Sequence, residues 1–168
     1  MNSTSTHINK IRLLLKKENL LFIMSVAIIF ALDRYSKFEI LKHFNEEIFY
    51  INNFININLV WNTGIGFGIL SSTSTIFYSI ISIFIASIIL ILFYMAFKAE
   101  KYEKIIFSII IGGALGNFYD RIFLNAVPDF IDLHYKNFHW FTFNIADIFI
   151  TLGIIGFLMR EFLTTNSK

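Results

Sequence analysis

The chain has 168 residues, of which 56% are hydrophobic and 15% charged, against roughly 45–50% and 25% in an average soluble domain. A mean hydropathy of +0.65, with 21 Phe and one Pro, disfavours a water-soluble enzyme and points to a single multi-pass membrane domain. The absence of Cys excludes disulfides, thiolate metal sites and a Cys nucleophile, and a net charge of +2 is too small to suggest nucleic acid.

In chain order, apolar runs at 20–32, 76–97, 105–123 and 143–163 predict helices at about 17–36, 74–97, 104–123 and 143–163, near the roughly 20 residues a bilayer span requires. The first run is short and follows Lys16 and Lys17, which is compatible with a signal-peptide core. Against that, Asp33, Arg34, Tyr35, Ser36 and Lys37 follow it with no small-x-small cleavage signal. It is better read as an uncleaved span, with Arg34 and Lys37 snorkelling to the headgroups. Between the first two helices, residues 50–61 alternate Asn with apolar residues (Asn56, Ile57, Asn58, Leu59), the period-two pattern of a half-buried strand. The fold class expected is therefore an all-α membrane protein of four transmembrane helices with a small β-rich element on the outer, periplasmic face.

Lys10, Arg12, Lys16, Lys17, Lys98, Lys101, Lys104, Arg160 and Lys168 fall on one side of that arrangement, nine of the fourteen bases. Outer segments at about 38–73 and 124–142 hold only Lys42 and Lys136 beyond the bases of the polar clusters. Both termini are expected on the cytoplasmic side. The first helix then ends outward at Asp33, the third at Asn117, Asp120 and Arg121, and the fourth starts from outside at Asn144 and Asp147. Ionisable groups within spans cost about 2.5–3.5 kcal/mol each on insertion scales and are functional by default. Each cluster alone could mark a helix end. Three at one depth, joined by Asn62 and Asp129 from the outer segments, suggest a built site.

Local spacing refines this. Gly112 and Gly116 form a small-xxx-small face for a neighbouring helix. Asn117 shares a face with Asp120 and Arg121, so Arg121 is expected to keep Asp120 ionised, and Asp33 with Lys37 has the acid-first i, i+4 order of a stabilising pair. Asn144 reads as an N-cap with Asp147 in the first turn, where the helix dipole favours an anion. Capping alone would explain that pair. A second carboxylate nearby would instead be forced to keep its proton, giving the water-activating pair of aspartic proteases. The partner must come from Asp33, Asp120, Asp129 or Asp132. Asp120 has an adjacent Arg and Asp33 a Lys, while Asp132 reads as a solvated loop residue. Asp129, in the apolar stretch Val127-Pro128-Asp129-Phe130-Ile131, ranks first as a general acid, though spacing cannot bring it to Asp147. His134 and His139 lack a Glu-bearing zinc motif and read as surface or interfacial histidines. The competing reading is a small non-enzymatic transporter or assembly factor with an ion path lined by Asp and Arg.

Taken together, Asp33-x-x-x-Lys37, Asn62-x-Gly64-x-x-Phe67, Gly112-Gly113-Ala114-Leu115-Gly116-Asn117-x-x-Asp120-Arg121, Val127-x-Asp129-Phe130 and Phe143-Asn144-x-Ala146-Asp147 resemble the type II (lipoprotein) signal peptidase family. The resemblance runs from 33 to 147. It implies an aspartic endopeptidase that removes signal peptides from lipid-modified prolipoproteins, cutting before a diacylglyceryl-modified Cys, with Asp129 and Asp147 as the catalytic dyad. It further implies that Asp33, Lys37, Asn62, Gly64, Gly116, Asn117, Asp120, Arg121, Asn144 and Ala146 shape the site or contact substrate. Pro128 stands where Val is often found in the family, and Arg34 where Gln is common. No cofactor and no metal is expected. The partners are prolipoproteins and membrane lipids, the protein is expected to be a monomer, and its place is the bacterial inner membrane with the site at the outer face.

Overall fold

The computed structural model describes residues 16–43, 48–64 and 75–165. Its elements run α1 (Lys17–His43), β1 (Phe49–Tyr50), β2 (Ile55–Asn62), α2 (Thr75–Lys98), α3 (Lys101–Phe123), β3 (Val127–Tyr135), β4 (Phe138–Phe143) and α4 (Ile145–Thr165). Four helices and a small antiparallel sheet thus form, as hydropathy and the alternation over 50–61 predict. Three helices, Lys17–His43, Tyr78–Lys98 and Lys101–Phe123, are long and apolar enough to cross a membrane, so this is a multi-pass membrane protein. The expectation of four spans is met only to that extent, because α4 carries Asp147 near one end and Arg160 and Glu161 near the other. α1 also runs past position 36 to His43, since Phe38 to Lys42 contains no Gly or Pro to stop it.

α3 is the central helix and packs against α1, α2 and α4. Its glycines explain how two neighbours approach it at once. A Cβ on Gly112 would stand 2.7 Å from Ile29 Cβ of α1, and one on Gly113 2.6 Å from the Ala146 carbonyl of α4. Phe22, Val26, Ala96, Phe107 and Ile111 form the apolar core between α1, α2 and α3, with Phe22 edge-on to Phe93 at 6.0 Å. At the end of the bundle away from the sheet, Lys104 Nζ donates to Asn19 Oδ1 at 2.7 Å and Arg160 pairs with Glu103. Ile76, Ile83 and Leu90, seven residues apart on α2, are 74%, 67% and 70% exposed. Such an apolar stripe is stable only where lipid rather than water covers it.

The sheet has the order β1-β2-β3-β4, all antiparallel. Segment 124–142, read from the sequence as a loop, is instead mostly the hairpin β3-β4. Its reversal at Lys136 uses a left-handed backbone, φ 54°. α3 stops where Leu124 N–H bonds Asp120 O at 2.7 Å and Asn125 turns left-handed at φ 56°, a conformation Asn tolerates better than most residues. In the register, Asn62 faces Val127 and Val60 faces Asp129, with a bulge between Ile57 and Val60. The sheet therefore joins the bundle at β3, close to the N-terminus of α4.

Candidate active site

Asp129 lies on β3 with 2% of its surface exposed. Both its oxygens accept from amides, Oδ2 from Asn62 Nδ2 at 2.9 Å and Oδ1 from Asn144 Nδ2 at 2.5 Å. Burial, followed by the charge of Asp147, pushes its carboxyl from 3.8 up to about 6, against the opposing pull of the two amides and of Lys37. These are the desolvation and like-charge effects that keep a proton on one member of a carboxyl pair.

Asp147 occupies the third position of α4. Asn144 N–H donates to Asp147 Oδ2 and Asp147 N–H to Asn144 Oδ1, each at 3.1 Å, a reciprocal capping arrangement. The other oxygen, Oδ1, accepts from Asn117 Nδ2 at 2.8 Å. One residue, Asn144, thus holds both carboxylates, Asp129 through its side chain and Asp147 through its backbone. A cavity of about 580 Å³ opens onto Asp129, Asp147, Asn62, Asn117 and Arg121, and the rest of its wall is almost wholly apolar, including Ile88, Leu92, Ile110, Ile150 and Phe157.

Behind the carboxylates lies a second charged cluster. Asp33 Oδ1 accepts from Ala146 N–H at 3.0 Å, so an α1 side chain satisfies one of the free donors at the start of α4. Gly116 faces Asp33, where any Cβ would run into the carboxylate. Lys37 Nζ stands 3.0 Å from Asp33 and 2.7 Å from both Asn117 Oδ1 and Asp120 Oδ2. Snorkelling of Lys37 is therefore corrected: it is 1% exposed, because two carboxylates inside the bundle outcompete the headgroups. Arg34, also expected to snorkel, instead forks onto Asp120 at 2.5 and 2.9 Å and reaches Asp33 at 2.9 Å.

Arg121 differs too from its expected pairing with Asp120. Its guanidinium donates to the carbonyls of Asn117 at 3.0 Å and Gly64 at 2.9 Å, while Gly64 N–H bonds Asn62 Oδ1 at 2.9 Å. Arg121 and Gly64 together orient Asn62 toward Asp129. Asp132 is not solvated: it is 2% exposed, with His139 Nδ1 at 2.7 Å and Asn56 Nδ2 at 3.5 Å. His134 is likewise buried rather than at the surface. Phe67 lies outside the described residues.

The structure brings together Asp33, Lys37, Asn62, Gly64, Gly116, Asn117, Asp120, Arg121, Asp129, Asn144, Ala146 and Asp147. Sequence reasoning missed Arg34, although two buried acids, Asp33 and Asp120, beside one Lys already call for a second cation.

The family described as signal peptidase (SPase) II, peptidase A8, matches residues 25–163. A lipoprotein signal peptidase of Pelagibacter ubique is 44% identical over 163 residues, covering 95% of this chain and 96% of that protein. That of Francisella tularensis subsp. novicida is 42% identical over 156 residues, covering 88% and 93%. A solved structure described as a bacterial membrane enzyme, obtained by the in meso method at 2.3 Å, superposes with a TM-score of 0.75 at 30% identity, covering 88% of this chain and 91% of that one. The chain therefore belongs to the signal peptidase II family, peptidase family A8, and is by class an aspartic protease of the membrane.

Proposed function

We propose that this protease removes signal peptides from lipid-modified prolipoproteins, cutting before the diacylglyceryl-bearing Cys, with Asp129 and Asp147 as its catalytic pair. The observation that carries the reading is the pair itself: two carboxylates tied to one asparagine, Asn144, at the polar end of an otherwise apolar cavity. A substrate that is part peptide and part acyl chain needs that combination. One carboxylate removes a proton from water as the oxygen attacks the scissile carbonyl carbon, and the other gives its proton to the carbonyl oxygen. Collapse of the tetrahedral intermediate breaks the C–N bond, and the departing amine takes up a proton. The apolar wall between α2 and α4 suits lateral entry of the lipid-anchored substrate from the outer leaflet.

In this reading α4 is the fourth span, both termini are cytoplasmic, and the sheet lies on the outer face of the bacterial inner membrane. The test is cleavage of a lipid-modified prolipoprotein in proteoliposomes. Asp129→Asn and Asp147→Asn should insert normally and leave the substrate uncut. Normal processing by Asp129→Asn would remove the dyad assignment, and an ion path without peptidase activity would leave the substrate intact with the unmodified chain as well.

A further inference from the structure

The contacts of Arg34 make it the second cation of a closed cluster. Asp33 and Asp120 are each 0% exposed and Lys37 is 1%. Lys37 has three N–H donors, and all three are engaged, on Asp33, Asp120 and Asn117. Only the third contact reaches the site. Because Asn117 Oδ1 accepts from Lys37, its Nδ2 is the end turned to Asp147. A single ammonium between two buried carboxylates would be drawn to the acids, since buried charge is costly unless paired, and its hold on Asn117 would loosen.

Arg34 removes that competition. Its fork covers both oxygens of Asp120 and one of Asp33, and the guanidinium lies 4.8 Å from the centre of the Tyr119 ring, a cation–π contact that fixes its plane. We propose that Arg34 is a positioning residue: by neutralising Asp120 and Asp33 it leaves Lys37 to hold Asn117, and through Asn117 to orient Asp147. The proposal rests on the reading of Asp129 and Asp147 as the catalytic pair.

Charge balance extends the argument to pH. The groups around the pair are Asp33, Arg34 and Lys37 from α1, Asp120 and Arg121 from α3, and Tyr78 from α2 beside Arg121. With one negative charge on the pair, three negative groups face three positive ones. A Gln at 34 keeps hydrogen-bond donors but leaves one negative charge in excess, which disfavours ionisation of the pair.

The experiment uses the full chain in proteoliposomes with a lipid-modified prolipoprotein. Arg34→Gln should lower kcat about tenfold to a hundredfold, the scale of loss from a misplaced reacting group, while KM stays within about twofold because ground-state binding is untouched. The acid limb of the pH–activity profile should move upward by about half a unit to one unit, less than the 1–3 units of a directly adjacent charge. Arg34→Lys, which restores the charge without the planar fork, should return the limb and recover kcat only in part. Unchanged kcat, or a lowered melting temperature with the acid limb unmoved, overturns the proposal. If Arg34→Gln does not fold, Arg34→Lys decides it: reduced kcat with the limb in place supports the role, and unchanged kcat refutes it. Asp129→Asn and Asp147→Asn in the same assay separate the two claims. Cleavage by either variant would sink the dyad itself, whereas two inactive variants beside an unaffected Arg34→Gln sink only the role of Arg34.

Discussion

Asp129 is held in tension. Two amides donate to its carboxylate, which favours the charged form, yet burial and the charge of Asp147 prevail and raise its titration to about 6 from 3.8. A carboxyl whose folded-state value is raised binds its proton more tightly when folded, so it favours the native state at low pH. Stability should fall as pH climbs from about 4 to about 6, by about 3 kcal/mol for a rise of about two units. Asp129→Asn removes that penalty but turns an NH2 toward one of the donating amides, at a cost of about 1 kcal/mol. The variant should therefore be more stable than the parent by about 1–2 kcal/mol at pH 8, with no gain below pH 4. Thermal unfolding in detergent across that range checks this, and an equal melting temperature at pH 8 would contradict the strain assigned to Asp129. The residue types were legible in the sequence: apolar neighbours marked Asp129 as an acid, and Asn144 with Asp147 read as a capped helix start. The link between them was not, because Asn144 Nδ2 reaches Asp129 across 15 residues of hairpin.

Among the elements, α3 decides whether the site assembles. Its glycines admit α1 on one side and α4 on the other, and Gly116 lies against the Asp33 carboxylate itself. Gly116→Ala should push Asp33 away from Ala146 N–H and Lys37. The expected loss is about 1–3 kcal/mol of stability, the usual cost of overpacking, together with most of the activity. Gly156 is the control: a Cβ there meets nothing nearer than Ile106 Cγ1 at 3.9 Å, so Gly156→Ala should be neutral or slightly stabilising through helix propensity. Urea or thermal unfolding of the two variants tests the contrast, and equal losses would refute it. The small-xxx-small spacing announced a close helix contact without saying whose. Segment 124–142 concealed a hairpin because neither of the two residues after Tyr135, Lys136 and Asn137, is Gly, the residue that usually supplies a left-handed turn position. Asp132, read as solvated, is buried for the same reason: once β3 pairs on both edges, its side chains have neighbours.

On the scale of the whole molecule, the sheet elements lie between α1 and α2 and between α3 and α4, so one side of the membrane receives the sheet and the start of α4. The absence of Cys makes this directly testable by single-cysteine labelling. Lys136→Cys, in the β3-β4 turn, should react with a membrane-impermeant maleimide applied from outside intact inner-membrane spheroplasts. Lys101→Cys, at the start of α3, should react only after permeabilisation. The reverse pattern would invert the proposed topology and place the candidate site on the cytoplasmic side.

By itself, the sequence determined the class of environment and the kinds of group at work. Hydropathy is a local sum, capping is local, and i, i+4 spacing is local, so apolar runs, the Asn144 start of α4 and the Asp33–Lys37 pair could all be read along one dimension. Only the tertiary structure decided which charges meet. Arg34 and Lys37 look like interfacial cations until α1 packs against α3, and Arg121 looks like the partner of Asp120 until Arg34 occupies that carboxylate and leaves Arg121 to the Gly64 carbonyl. Inside a low-dielectric bundle each charge takes the nearest counter-charge that packing allows, and proximity between residues 80 or more positions apart is set by the way the helices pack, which no local spacing encodes.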